Sequence, residues 1–371
     1  MVTVIVIFGV YFSLLLALLV GWFLVFQNGS RSASIEEQSI TVIVPFRNEE
    51  QNLPNLLKAL AGQNYPSKLY EVILVDDHSA DRSASIVRQF IDEHSNFTLL
   101  VLPEGFEGKK RAIDFGISHC VYEIIVTTDA DCTLPPNWLK SISSSFTQHL
   151  NMLLGGVKIV SGSSLFSKLQ AMEFASLVGS GFATLGFQLP TMANGANLAF
   201  RKTAFQKVNG YVGSYHIASG DDEHLMQKMH AQFPGSVKPM TDAQSVVLTK
   251  PLPTLSDFVQ QRLRWAAKWK HNPSVITQSV AVLVLIFQIT YAISLVMVAL
   301  QGFDNQLLIF LLLAKWVLEF LFLYAVLLFF KIKWSWISFF SLQVFYSSYV
   351  TFVGILSLFK RFTWRGRAFD S

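Results

Sequence analysis

Read for alternation, the middle of the chain yields short apolar runs that each stop abruptly in polar residues. Residues 39–50 (SITVIVPFRNEE) predict a buried strand ending at Pro45, and 52–63 (NLPNLLKALAGQ) carry apolar positions at helical spacing. The pattern repeats: strand at 70–83 (YEVILVDDHSADRS), helix at 83–94, strand at 97–102, helix at 108–120, strand at 122–131 (YEIIVTTDAD). Strand–helix alternation of this kind predicts an α/β fold, a doubly wound, mostly parallel sheet.

Both ends of the chain follow a different pattern. Residues 1–26 contain no charged side chain, and about 20 apolar residues suffice to cross a bilayer. They lack a basic leader and a small-residue cleavage site, which favours a retained anchor over a cleaved signal. Three more long apolar segments occupy 274–300, 305–330 and 335–359. Roughly 240 residues of ordinary globular composition lie between, enough for one full-size domain.

Composition agrees: 51% of residues are hydrophobic and only 15% charged, which is too apolar for an ordinary soluble chain. The net charge is +4, and basic residues cluster at 262–272, 331–333 and 360–367, each beside an apolar segment. Such flanks suit anionic lipid, and nothing in them points to nucleic acid. Cys120 and Cys132 form no disulfide framework and predict reduced, buried thiols.

The candidate chemistry sits where the strands end. Arg47-Asn48-Glu49, Asp76-Asp77 and Asp129/Asp131 each follow a strand, the edge at which doubly wound sheets bind ligands. Residues two apart on a strand share a face, so Asp129 and Asp131 are expected to converge. Paired carboxylates repel unless something positive lies between them, and a hard divalent cation suits oxygen ligands. The phosphate-binding GxxxxGK[ST] and GxGxxG fingerprints are missing. His78, His216 and His224 lack metal-ligand spacing.

The ordered set TVIVPFRNEEQNL, VILVDDHSADRS, GKKRAIDFG, TTDADC, SGDDEHL and QRLRW resembles membrane-bound family 2 glycosyltransferases over about residues 39–270. The resemblance implies a GT-A fold and a nucleotide-sugar donor such as a UDP- or GDP-sugar. By resemblance, Glu49 and Asp77 contact the donor's base and ribose, and Lys109 lies near the nucleotide. Asp129 and Asp131 match the DxD motif that binds Mg²⁺ or Mn²⁺. Asp222 aligns with the general base; the family more often has Glu-Asp where this chain has Asp221-Asp222, and Asp221 is expected to cap a helix. Gln261, Arg264 and Trp265 match QxxRW at i, i+3 and i+4 of one helix face, with Arg264 assigned to diphosphate and Gln261 and Trp265 to the acceptor. Asn194-Gly195 and Asn197 either line the acceptor pocket or form a plain turn.

The expected organisation is an anchor at 1–26, a linker at 27–38, a cytosolic GT-A domain at 39–255, an interfacial helix at 256–273, membrane segments at 274–359 and a basic tail at 360–371. Trp265 and Trp269 with Arg262, Lys268 and Lys270 describe the interfacial helix. Basic residues flank 335–359 on both sides, so a re-entrant or hairpin segment there competes with a span. Lys315 and Glu319, one helical turn apart, are expected to pair inside the bundle. The function expected is inverting transfer to a lipid or lipid-linked glycan at the cell membrane. The alternatives are a processive polysaccharide synthase and a non-catalytic nucleotide-sugar-binding subunit; a transporter is excluded because one extramembrane domain holds the polar signatures.

Overall fold

The computed structural model describes residues 2–28, 37–215, 220–267, 274–301, 305–357, 362–364 and 367–369. His216, Lys268, Trp269, Lys270 and most of the expected linker lie outside these. Two compact units are present: Val25–Val160 with Phe187–Lys250, and Met1–Leu24 with Ser161–Gly186 and Pro251–Ser371.

After helix α1 (Val2–Asn28), the α/β unit runs β1 (Ile40–Phe46), α2 (Leu53–Ala61), β2 (Tyr70–Asp76), α3 (Ser83–Ile91), β3 (Phe97–Val101), α4 (Lys109–His119), β4 (Ile124–Thr127), α5 (Trp138–Ser145), β5 (Met152–Leu154) and β6 (Val157–Ile159). Helix α6 (Leu165–Leu185) belongs to the other unit. The chain then returns through β7 (Leu198–Arg201), α7 (Lys202–Lys207), α8 (Asp221–Gln232), β8 (Val237–Pro239) and β9 (Val247–Thr249).

Seven strands form one sheet in the order β3-β2-β1-β4-β7-β5-β8, and β6 pairs with β9 apart from it. The β3-β2-β1-β4 half is parallel, as the alternation predicts, whereas β7 runs antiparallel to both β4 and β5. Every residue of β1 is buried, as expected of a continuous β-branched run covered on both faces. Gly116 lets α4 press onto this sheet: a Cβ there would lie 2.9 Å from Ile43 Cγ2 and 3.3 Å from Val75 Cγ2. Glycine costs helix stability, and here the close packing requires it. That contact fixes the helix whose first residue is Lys109.

Register sets the shape of the sheet's carboxyl edge. Phe46 pairs with Asp76 and Asp76 with Val101, so β1, β2 and β3 end level. Strand β4 pairs Thr127 with Ile43 and stops there, while β1 continues to Phe46. Strand order reverses direction at β1, between β2 and β4, the place where such sheets accept ligands.

The helical unit contains α1 and α6 with α9 (Leu255–Ala267), α10 (Val275–Gln301), α11 (Gln306–Phe329) and α12 (Trp336–Leu356). Helices α1, α10, α11 and α12 are long and apolar enough to cross a membrane. Helix α12 is unbroken, so the hairpin alternative for 335–359 is not formed. Two short strands in the basic tail, Phe362–Trp364 and Arg367–Phe369, pair antiparallel. Small residues bring helices close: Gly179 of α6 abuts Val326 of α11, and Gly186 abuts the backbone of Gly21.

One polar network joins three helices of this unit. Lys315 Nζ donates to Glu319 Oε2 (2.9 Å) and Gln343 Oε1 (2.6 Å), and Tyr11 Oη donates to Glu319 Oε1 (2.7 Å). The expected Lys315–Glu319 pair is therefore part of a network joining α1, α11 and α12.

Candidate active site

The loops after β1 and β2 lock together. Asn48 and His78 both adopt positive φ (54° and 58°), turning the chain sharply just past each strand. The amide of Asn48 donates to Ser79 Oγ (3.0 Å), that of Glu49 to Ser83 Oγ (2.7 Å) and that of Glu50 to Asp81 Oδ2 (3.1 Å). Glu49 and Asp77 are buried. Asn52 Nδ2 donates to Glu49 Oε2 (2.7 Å), and the amide of Gly108, just before α4, donates to Asp77 Oδ2 (3.1 Å). Asp77 thus ties the second loop to the start of α4.

The sequence places Asp129 and Asp131 on a strand, and this is corrected. Strand β4 ends at Thr127, and both aspartates lie in a tight turn closed by the amide of Cys132 donating to the carbonyl of Asp129 (3.2 Å). The turn, not strand alternation, brings them near each other. Asp131 meets solvent at its surface, yet desolvation by its surroundings and then the charge of Asp129 push its carboxyl above the usual range. Both cysteines are free and buried, as expected.

Lys109 joins this turn to Asp221, the neighbour of the candidate base. Its Nζ donates to Asp129 Oδ1 at 2.6 Å and lies 3.6 Å from Asp221 Oδ2. Desolvation alone would lower the ammonium's pKa, but the charges of Asp129 and Asp221 overcome it and hold the group protonated far above the ordinary lysine range.

Helix α8 begins at Asp221 with Gly220 (φ 78°) as its cap, so Asp221 is not the N-cap. Asp221, Asp222 and Glu223 all occupy its first turn, where the helix dipole favours negative charge. Asp222 is buried; its Oδ2 accepts from the amide of Gly195 (2.9 Å) and its Oδ1 from the amide of Glu223 (2.8 Å). A carboxylate has about four acceptor positions, so two amide bonds orient this one without exhausting it. Thr127 Oγ1 donates to the carbonyl of Gly195 (2.9 Å), which anchors the 194–197 loop to the end of β4.

Asn197 does not line a pocket. It is fully buried; its Nδ2 donates to the carbonyls of Gly156 and Ser245 (2.8 Å each), and its Oδ1 accepts from Trp138 Nε1 (3.0 Å). The amide is committed to the fold.

In the helical unit, Gln261, Arg264 and Trp265 lie on α9, all three half-buried. Arg262, expected to face headgroups, instead is buried against Glu173 of α6. Its Nη1 donates to Gln261 Oε1 (2.6 Å) and its guanidinium lies 4.2 Å from the ring of Trp265. Nothing in the sequence signals this role for Glu173, 89 positions earlier.

Among the described residues no group of three or more His, Cys, Asp or Glu side chains converges as a ready metal cage. The oxygen set at Asp129 and Asp131 nonetheless fits a cation, because a cation, the Lys109 ammonium, already rests against it. A metal held by one or two carboxylates draws its remaining ligands from water and substrate phosphate.

Residues 41–209 match the family model for glycosyl transferase family 2. The poly-beta-1,6-N-acetyl-D-glucosamine synthase of Staphylococcus epidermidis is 26% identical over 281 residues, covering 73% of this chain and 65% of that protein. The undecaprenyl-phosphate 4-deoxy-4-formamido-L-arabinose transferase of Pectobacterium carotovorum is 30% identical over 142 residues, 38% of this chain and 43% of that one. The chain thus spans less than two thirds of the length of these relatives. The mannosyltransferase PcManGT from Pyrobaculum calidifontis, solved with GDP-Man and Mn²⁺, matches in fold with a TM-score of 0.55 at 17% identity, over 96% of this chain and 98% of that one. Family match and sheet order agree, and residues 41–209 are a family 2 glycosyltransferase domain of GT-A fold.

Proposed function

We propose that this chain is an inverting glycosyltransferase that moves a sugar from a UDP- or GDP-sugar to a membrane-linked acceptor, with its α/β unit in the cytosol. The observation that carries the reading is the bridge through Lys109, which puts the DxD turn and the first turn of α8 at one ammonium. Relatives that act on undecaprenyl phosphate, and a solved neighbour that holds GDP-Man and Mn²⁺, support the acceptor class and the donor class.

Glu49 and Asp77 hold the nucleoside, and Lys109 and Arg264 meet phosphate charge. Guanidinium matches phosphate geometry in a bidentate manner. Asp129 and Asp131 would hold Mg²⁺ or Mn²⁺, which supplies charge compensation to the departing diphosphate. Asp222, oriented by the Gly195 amide, accepts the proton of the acceptor hydroxyl as that oxygen bonds to the anomeric carbon. The bond from that carbon to the diphosphate oxygen breaks, and its electron pair leaves with the nucleotide. Gln261 and Trp265 serve the acceptor.

A processive synthase is the second reading, favoured by the likeness to the Staphylococcus epidermidis synthase over 73% of this chain. One experiment separates them. Membranes carrying wild type or Asp222→Asn are given labelled nucleotide sugars with Mg²⁺ or Mn²⁺, and organic-soluble label is separated from insoluble polymer. Organic-soluble label lost in the variant supports transfer to a lipid hydroxyl or lipid-linked glycan. Organic-soluble label that survives points to a lipid phosphate, which is already anionic and needs no base. Polymer indicates a synthase, and no transfer from any donor contradicts the catalytic reading.

A further inference from the structure

We propose that Lys109 is the site's own counter-ion: it keeps a divalent cation off Asp129 until a donor diphosphate draws the ammonium away, so that cation and diphosphate load together. This rests on the functional reading above and adds an order of binding to it.

The pocket is shaped around the ammonium. Lys109 Nζ sits 2.6 Å from Asp129 Oδ1 and 3.6 Å from Asp221 Oδ2, and its side chain is only 22% exposed. Gly195 leaves the space: a Cβ there would lie 3.0 Å from both Lys109 Nζ and Asp221 Oδ2. The helix behind it is fixed, because Gly116 packs α4 onto β1 and β2 and the amide of Gly108 is tied to Asp77. Movement is therefore left to the lysine's flexible four-carbon stem.

Charge decides what this arrangement can bind. A magnesium-like ion sits about 2.0–2.1 Å from a carboxylate oxygen. On Asp129 Oδ1 it would share that oxygen with the ammonium, placing two cations within about 5 Å of each other in a partly dry site, where repulsion is weakly screened. Without a new anion, either the metal stays out or Lys109 must give up its 2.6 Å bond to Asp129 and keep only Asp221, 3.6 Å away. A nucleoside diphosphate supplies the ammonium with a new partner: its phosphate oxygens can take the ammonium, and the vacated carboxylate can take the metal. Lys109 then contributes to the donor site twice, as counter-ion before loading and as phosphate ligand after it.

The test is Mn²⁺ binding by the detergent-solubilised full chain, read from the electron paramagnetic resonance signal of free Mn²⁺, with no turnover required. Wild type should bind Mn²⁺ alone weakly and at least about tenfold more tightly with saturating UDP or GDP, a coupling that is reciprocal. Lys109→Met should bind Mn²⁺ alone about tenfold or more tighter than wild type, and Lys109→Arg, which keeps the charge, should stay weak. Lys109→Met binding Mn²⁺ no better than wild type would overturn the proposal, as would tight binding by Lys109→Arg. Equal Mn²⁺ affinity with and without diphosphate in wild type would overturn it even if Lys109→Met does not fold. Wild type that transfers sugar but fails these tests leaves the functional reading standing; absence of Mn²⁺ and nucleotide binding in every form sinks both.

Discussion

Arg262 Nε donates to Glu173 Oε1 at 3.1 Å and Nη2 pairs with Oε2, so α9 and α6 share an ion pair whose side chains are each 4% exposed. The same guanidinium holds Gln261 by a hydrogen bond and lies 4.5 Å from the ring of Phe258 and 4.2 Å from that of Trp265. Breaking a buried pair strands the remaining charge, at a cost of about 3–5 kcal/mol, whereas replacing both partners with apolar groups is often nearly neutral. Arg262→Met and Glu173→Leu should each lower the thermal midpoint of the full chain in detergent, and the double variant should recover most of the loss. Additive losses in the double variant would show that the pair does not stabilise the helices as a unit.

Asn197 gives a second expectation, because sequence and structure assign it different work. Asn197→Ala takes the partner from the Ser245 carbonyl and the Trp138 indole N–H, at about 1–3 kcal/mol for each buried group, while the Gly156 carbonyl keeps the amide of Val247. Asn197→Asp should be worse, since a carboxylate cannot donate to the carbonyls of Gly156 and Ser245. Both variants should unfold at lower temperature while the folded fraction keeps its acceptor KM. A raised acceptor KM at unchanged stability would return Asn197 to the acceptor pocket.

These two residues also show what was legible beforehand. The parallel half of the sheet was readable because β1 and β2 are apolar runs long enough to stand out, each closed by polar turn residues. The rest of the sheet and the separate β6–β9 pair were not, since β5, β6, β8 and β9 have three residues each and no periodicity to detect. Helix α6 escaped because its buried residues, Gln170 and Glu173 among them, are not confined to one apolar stripe. At the site, residue types near strand ends were visible, but the partners were not. That Lys109 faces Asp221, or that the Gly195 amide orients Asp222, depends on pairs 112 and 27 positions apart, brought together only by the sheet's crossovers.

Gly195 is crowded by Lys109 and Asp221, and Gly195→Ala tests that crowding. The added Cβ would stand 3.0 Å from both Lys109 Nζ and Asp221 Oδ2, closer than ordinary contact. The ammonium ends a flexible chain and can shift by a few tenths of an ångström, so the fold should lose no more than about 1–2 kcal/mol. Transfer should fall by about tenfold or more, since misplacing a catalytic group slightly is costly even when the protein folds normally. Wild-type kcat/KM in Gly195→Ala would mean that the space between Lys109 and Asp221 is not used in the reaction.

Asp129 and Asp131 should fail in different ways. Chelation should abolish transfer and Mn²⁺ should restore it, whereas transfer that survives chelation would remove the metal from the reading. Asp131 meets solvent and its substitution disturbs little packing. Asp131→Asn should therefore keep the wild-type thermal midpoint and lose about a hundredfold in kcat, the scale seen when one group stabilising a leaving charge is removed. Asp129→Asn should lose activity as well, but it also deprives the largely buried Lys109 of its nearer carboxylate. The amide leaves a hydrogen-bond acceptor and no charge, and Asp221 at 3.6 Å is then the ammonium's closer anionic partner. A measurable fall in thermal midpoint should follow in Asp129→Asn alone. Equal midpoints for the two variants would show that the Lys109–Asp129 bond contributes nothing to the fold and serves only the site.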